Sequence, residues 1–172
     1  MTTGSFADMN CPIAQTLERV GERWTLLILR NAFCGMSRFD QFQQHLGIGS
    51  NILSNRLRSL TAEGILTRSP APDDGRAFEY RLTEKGAALF PILIAMTEWG
   101  ERFAAHPLGA RLTLVERANG VPISGIRVLA FDGRALQAHD IAAAAGPAAD
   151  EKTHALSAYS LAAAPSSQSK QP

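Results

Sequence analysis

The chain has 172 residues, 45% of them hydrophobic and 19% charged, which suits one ordinary domain with an appendage and excludes wholesale disorder. Its net charge of +1 leaves the question of a nucleic-acid partner to the distribution of charge. Two cysteines, Cys11 and Cys34, exclude a disulfide scaffold, and the lack of a CxxC pair removes the usual metal signal, as suits a reducing intracellular setting.

In chain order, the leader MTTGSFADMNCP has no basic n-region and no apolar h-region, so no secretory signal is expected. Ile13, Leu17 and Val20 mark a first helix with Pro12 in its first turn. Residues 24–33 form a strongly apolar second helix, closed by Gly35. The stretch SRFDQFQQHLG predicts a third helix with Ser37 as its cap, Phe39, Phe42 and Leu46 on one face, and a stop at Gly47. GSNILSNRLRSLTAEG follows at once, with Ser50 as cap and Gly64 as terminator. Two helices joined by a tight Gly-containing turn make a helix-turn-helix candidate.

The period then changes. Ile65-Leu66 begins a strand, PDDG reads as a turn with Asp74-Gly75 as its tight pair, and Phe78, Tyr80 and Leu82 alternate in the returning strand. Thr83 caps a long helix with apolar positions at Leu89, Ile92, Leu93, Met96, Trp99 and Phe103, and Pro91 is expected to kink it. After HPLG, residues 111–138 read as a small β appendage with turns at Asn119-Gly120 and Asp132-Gly133. From Ala142 the Ala/Pro/Ser/Gln-rich tail is expected to be disordered, with at most a weak helix near 150–163. The apolar runs 24–33 and 89–96 fall short of the roughly 20 residues of a membrane span. The fold class is mainly α with a small β wing (α+β). It divides into a winged helix-turn-helix domain (1–106), a β-hairpin appendage (107–141) and the tail (142–172).

In such a fold the second motif helix enters the major groove. Its core side is Leu53, Leu57 and Leu60. Its polar side carries Ser50, Asn51, Ser54, Asn55, Arg56 and Arg58, with no carboxylate before Glu63. Arginine can fork onto guanine or phosphate and asparagine onto adenine, so Asn51, Ser54, Asn55 and Arg58 are candidate base readers, with Ser50 and Arg56 on phosphates. Arg68 and Arg76 on the hairpin would reach the backbone or minor groove. Asp73 and Asp74 are awkward there, and Arg81 is expected to pair with a carboxylate. Cys34 is expected in the core, and His106, His139 and His154 in surface or loop positions.

The stretch from CPIAQTLERV through RWTLLIL, RFDQF, ILSNRLRSL, EGIL and EYRLTEKG to WGERF resembles the HxlR family of bacterial transcription regulators, relatives of the MarR group, over about residues 10 to 104. The resemblance implies a homodimer on a pseudo-palindromic double-stranded DNA operator; with no signal or membrane span in the sequence, a cytoplasmic repressor is the expectation. Its interface would come from the first and last helices, here Ile13, Leu17, Leu89, Leu93, Met96, Trp99 and Phe103. Some members sense quinones, aldehydes or oxidants through a cysteine at the Cys11 position. A helix N-terminus favours thiolate, but the plainer reading is an ordinary half-buried cysteine kept by packing. A small-molecule effector is the other signal to consider. Some relatives append Cys-Gly turns that look like a zinc ribbon. Asn119-Gly120 and Asp132-Gly133 stand in those places, so no zinc is expected. Neither a phosphate loop nor a nucleophile-base pair is present, so no catalysis and no cofactor are expected. The alternative function is a winged-helix module for protein-protein contact alone.

Overall fold

The apolar residues of four successive helices meet in one core. Ile28, Leu29, Phe42, Leu53 and Leu57 have no exposed surface, and Val20, Ile48, Leu60, Ile65 and Leu66 join them. The computed structural model describes residues 5–72 and 74–163. Its contacts divide the chain into two compact units, Thr16–Ile126 and Met1–Gln15 with Arg127–Pro172.

Helix α1 (Pro12–Val20) starts on its proline, α2 spans Thr25–Phe33, α3 Phe39–Leu46 and α4 Ser50–Ala62. The turns between them use Gly35 and Gly47 at positive φ, which ends α2 and α3 as their sequences imply. Two expected caps are displaced by one residue. Ser37 does not cap α3; the Gln41 side chain reaches back and accepts from the N–H groups of Ser37 and Arg38, at 3.0 and 3.1 Å. Ser50 is the first residue of α4, and the capping position falls to Gly49, which has no side chain to offer.

Strands β1 (Leu66–Ala71) and β2 (Asp74–Leu82) pair antiparallel, from Leu66↔Leu82 to Pro70↔Phe78, then jump to Ala71↔Asp74. The jump bulges Gly75, Arg76 and Ala77 out of the ladder. It also moves Asp74-Gly75 from the expected turn into the start of β2, and Asp73 lies outside the described residues. The hairpin gains a third edge that hydrophobic alternation does not reveal. Arg38 bridges Glu79, and the Tyr80 N–H donates to the Ser37 carbonyl at 2.7 Å.

Thr83 caps α5 (Glu84–Ala87), its hydroxyl accepting from the Gly86 N–H at 3.0 Å. The expected single long helix is two: the chain breaks at Ala88-Leu89, and α6 (Phe90–Phe103) restarts with Pro91 in its first turn, where a missing N–H costs nothing. Along α6, Glu98 accepts from the Ile126 N–H at 3.2 Å and Glu101 from that of Arg111 at 3.2 Å. These carboxylates fix both ends of the segment that follows.

The expected β appendage takes the form of two tight turns, each closed by an isolated bridge, Val115↔Pro122 in the first unit and Leu129↔Ala135 in the second. In the second unit the stretch from 142 carries α7 (Glu151–Ala162), firmer than the weak helix allowed by composition. The Asp150 carboxylate caps it, accepting from the Thr153 N–H and hydroxyl at 2.8 and 2.7 Å, and these bonds hold its pKa below the ordinary aspartate range. Ser157 and Ser160 accept from the N–H groups of Ala145 and Ala143, tying the Ala-rich approach to the helix. Short polar pins of this kind leave no hydrophobic period to read. The leader joins the same unit, Asn10 donating to the Ala148 carbonyl at 2.8 Å. The rest of the tail, 164–172, lies outside the described residues.

Gly86 is buried, and a β-carbon there would press on the Ile65 carbonyl, a backbone atom that cannot swing away. Gly86→Ala should therefore destabilise the Thr16–Ile126 unit by about 1–3 kcal/mol in urea unfolding. Gly75→Ala, which meets open space, should cost far less.

Candidate nucleic-acid interface

Helix α4 turns its leucines inward, and this decides what faces out. With Leu53, Leu57 and Leu60 buried, helical geometry brings Asn51, Asn55 and Arg58 to the exposed side, with Ser50 exposed at the start. The Arg58 guanidinium donates to Asn55 Oδ1 at 3.0 Å, so the two form one hydrogen-bonding unit on that side. Ser54 and Arg56 are half-buried at the flanks. Arg56 is partly committed, because its Nη1 lies 3.4 Å from a Glu22 carboxylate oxygen. Ile52 stands out of phase with the buried leucines and is 46% exposed on the same side. Helical phase could have singled it out, since it falls off the 53-57-60 stripe.

On the wing, Arg68 stacks over the Phe78 ring, 3.2 Å from its centroid, and Arg76 is exposed within the bulge. Arg81 pairs with Glu79, its nitrogens 2.6 and 3.0 Å from Oε2, as the sequence suggests. The Glu63 carboxylate at the far end of α4 faces Arg19 at 3.4 Å and Lys85 at 3.9 Å, which removes it from the polar side.

The motif's two layers are joined by a polar link not visible in the periodicity. Asn31, buried on α2, accepts from Arg30 Nε and Nη2 at 3.1 and 2.9 Å, and its Nδ2 meets His45 Nδ1 on α3 at 3.0 Å. A polar residue at a core position is informative when, as here, each end of the amide is satisfied.

Of the residues expected at a dimer interface, Ile13, Leu17, Met96, Trp99 and Phe103 are exposed, Trp99 to 64%. Leu89 and Leu93 instead pack against the core of their own chain. Cys11 is half-buried before α1. Cys34 is exposed at the end of α2, not in the core, because the chain turns at Gly35 straight after it. Among the described residues no three His, Cys, Asp or Glu side chains converge as a metal site needs, and no helix is long and apolar enough to cross a membrane.

Three helices leading into an exposed polar helix and a β-hairpin define a winged helix-turn-helix protein. Residues 19–107 match the family model described as HxlR-like helix-turn-helix. The chain is 38% identical over 135 residues to an HTH-type transcriptional regulator of Mycobacterium bovis, covering 78% of this chain and 85% of the relative. It is 32% identical over 97 residues to one of Methanothermobacter thermautotrophicus, covering 56% and 74%. Among solved structures, the candidate transcription factor PA1607 is similar at a TM-score of 0.77 and 42% identity, covering 82% of this chain and 99% of that one. The redox regulator HypR in its reduced form is similar at 0.50 and 33%, covering 55% and 96%. The chain belongs to the HxlR-like helix-turn-helix family of transcriptional regulators.

Asn31→Ala removes the tie between α2 and α3 and leaves a small void. It should lower unfolding stability by about 1–3 kcal/mol, read from the urea midpoint, whereas the exposed Asn51→Ala should change it little.

Proposed function

We propose that the protein is a homodimeric repressor that reads a pseudo-palindromic operator with α4 and the wing, and releases it on a redox or small-molecule signal. The observation that carries this reading is the exposed side of α4, where Asn51, Asn55 and Arg58 offer both donors and acceptors with no carboxylate among them. Such a surface suits base edges, arginine toward guanine and asparagine toward adenine. The exposed Ile52 is suited to a thymine methyl group. Ser50, Ser54 and Arg56 at the flanks, and Arg68 and Arg76 on the wing, are placed for the sugar-phosphate backbone.

Two further features support dimeric action. Met96, Trp99 and Phe103 recur on one side of α6 and are all more than half exposed, an apolar stripe that a second copy would cover. Ile13 and Leu17 are exposed at similar helical spacing on α1. Leu89 and Leu93, committed to the core, would support that surface from beneath.

The signal reading rests on Cys11, half-buried next to the α1 N-terminus, and on the likeness to HypR, which is described as a redox regulator. A thiol in that position has a route to oxidation and a helix whose start its oxidation would disturb.

A labelled duplex from the intergenic region beside the protein's own gene should shift in gels as a complex with two copies of the chain. Asn51→Ala and Asn55→Ala should each lose about 1–3 kcal/mol of preference for that duplex over random DNA. Arg56→Gln should cost less than Arg58→Gln, because Arg56 is shared with Glu22. Trp99→Glu should shift sedimentation toward the monomer and weaken operator binding. A wild-type chain that never distinguishes the two duplexes would sink the reading in favour of a protein-contact module. Hydrogen peroxide should release DNA from the wild type and not from Cys11→Ser; equal release from both would rule Cys11 out as the sensor.

A further inference from the structure

The leader that runs into α1 is held from two directions. On its own side, Gln15 in the first turn of α1 donates to the carbonyls of Ala7 and Met9 at 2.8 and 3.0 Å. From the far end of the chain, the start of α7 takes hold of Asn10. The Asn10 side chain donates to the Ala148 carbonyl at 2.8 Å, and the Asn10 carbonyl accepts from the Thr153 hydroxyl at 3.2 Å. All of these residues belong to the unit formed by Met1–Gln15 and Arg127–Pro172. Asn10 is the residue before Cys11, and an open groove of about 490 Å³ between the leader and α7 has Met9, Cys11, Lys152 and Leu156 in its walls. We propose that α7 is a strap across the leader that governs how readily reagents reach Cys11.

The hold of the strap is of a kind that releases without unfolding. Its two bonds to Asn10 lie at the surface, where each exchanges for a bond to water at small net cost. The Thr153 hydroxyl has one proton for two acceptors, the Asn10 carbonyl and the Asp150 carboxylate at 2.7 Å, and the charged acceptor is the stronger. The segment that carries Ala148 is pinned to α7 in turn, the Ala145 N–H donating to the buried Ser157 hydroxyl at 3.0 Å. The approach and the helix are thus bonded as one piece. The grip of Gln15 does not involve α7, so the leader stays folded against α1 when the strap lifts, and the groove loses the wall that α7 supplies. Coupling of this kind is reciprocal: a strap that shields the thiol when closed is loosened by what the thiol acquires. This inference goes beyond the sensor reading above, because it needs a thiol at position 11 and no effect of that thiol on DNA.

The test uses the full-length chain carrying Cys34→Ser, which leaves Cys11 as its one thiol. Labelling by iodoacetamide, followed by mass spectrometry, should run more slowly on this folded parent than on the same chain in urea. Thr153→Ala removes one bond to Asn10, and Ser157→Ala frees the segment that carries Ala148 without touching the leader. Each should speed labelling several-fold while circular dichroism stays that of a folded chain, and Thr153→Ser should keep the parent rate. A parent rate in either alanine variant would overturn the strap. If those variants fail to fold, the unaltered strap is read from the other side. Labelling Cys11 in the parent should raise hydrogen exchange of the α7 amides several-fold, and unchanged exchange would refute the coupling. Neither readout involves DNA, so loss of the operator reading or of the sensor reading is scored separately from loss of the strap.

Discussion

The burial of Leu53, Leu57 and Leu60 against Phe42, Ile28 and Leu29 is the constraint on which the rest depends. Each leucine is removed from water almost completely, a contribution of about 1.5–3 kcal/mol apiece from burial alone. A helix with three such anchors on one side has no rotational freedom about its axis. A turn of about 100° would expose the stripe and bury Asn51 or Arg58 without partners. The orientation of the polar side thus follows from the core, and no contact made by the polar residues is needed to set it. This is why that side can be given over to hydrogen-bonding groups with little role in stability.

The wing is governed by a different constraint, the strand register. Pro70 cannot donate to a ladder, and the pairing jumps straight after it. The jump expels Gly75, Arg76 and Ala77, while the other edge of β2 is occupied by Ser37 and Arg38. The same hairpin therefore receives support from α3's leading segment and returns an arginine toward it. The wing is tied to the helix-turn-helix through backbone bonds at Tyr80 and a bridge at Glu79, so its distal residues sit on a braced base.

The order of the elements was legible because it rests on strong, local signals. The leucine stripe, Gly35 and Gly47 at positive φ, and the Thr83 cap are all written in adjacent residues. Where the expectation differed, a longer-range or polar contact decided the outcome. Gln41 displaced Ser37 as the cap by reaching back three and four residues, and the register jump moved Asp74-Gly75 out of the turn. The apolar run before Cys34 implies a core position, yet the chain reverses one residue later and leaves the thiol exposed. The Asn31–His45 link and the bridge at Arg38 join residues 14 and 41 positions apart, and neither has a periodic signature. The candidate interface was legible in the same measure: α4's polar face follows from phase, whereas the bulge that carries Arg76 enters only through the fold.

Helix α6 shows how one element separates tasks by side. Glu98 and Glu101, one turn apart, accept backbone N–H groups from Ile126 and Arg111 and hold the following segment to the helix. A β-carbon on Gly125 would collide with the Glu98 carboxylate, and its φ of +84° already favours glycine, so the close approach is specific to this residue. Met96, Trp99 and Phe103 lie on another side, more than half exposed, with Trp99 and Phe103 in ring contact at 5.5 Å and Arg102 over the Phe103 ring at 4.9 Å. Carboxylates spent on the chain's own backbone are unavailable to a partner, and aromatic groups left in water are costly without one. The division places the polar commitments of α6 within the chain and leaves its apolar stripe exposed, the side on which the proposed self-association would act.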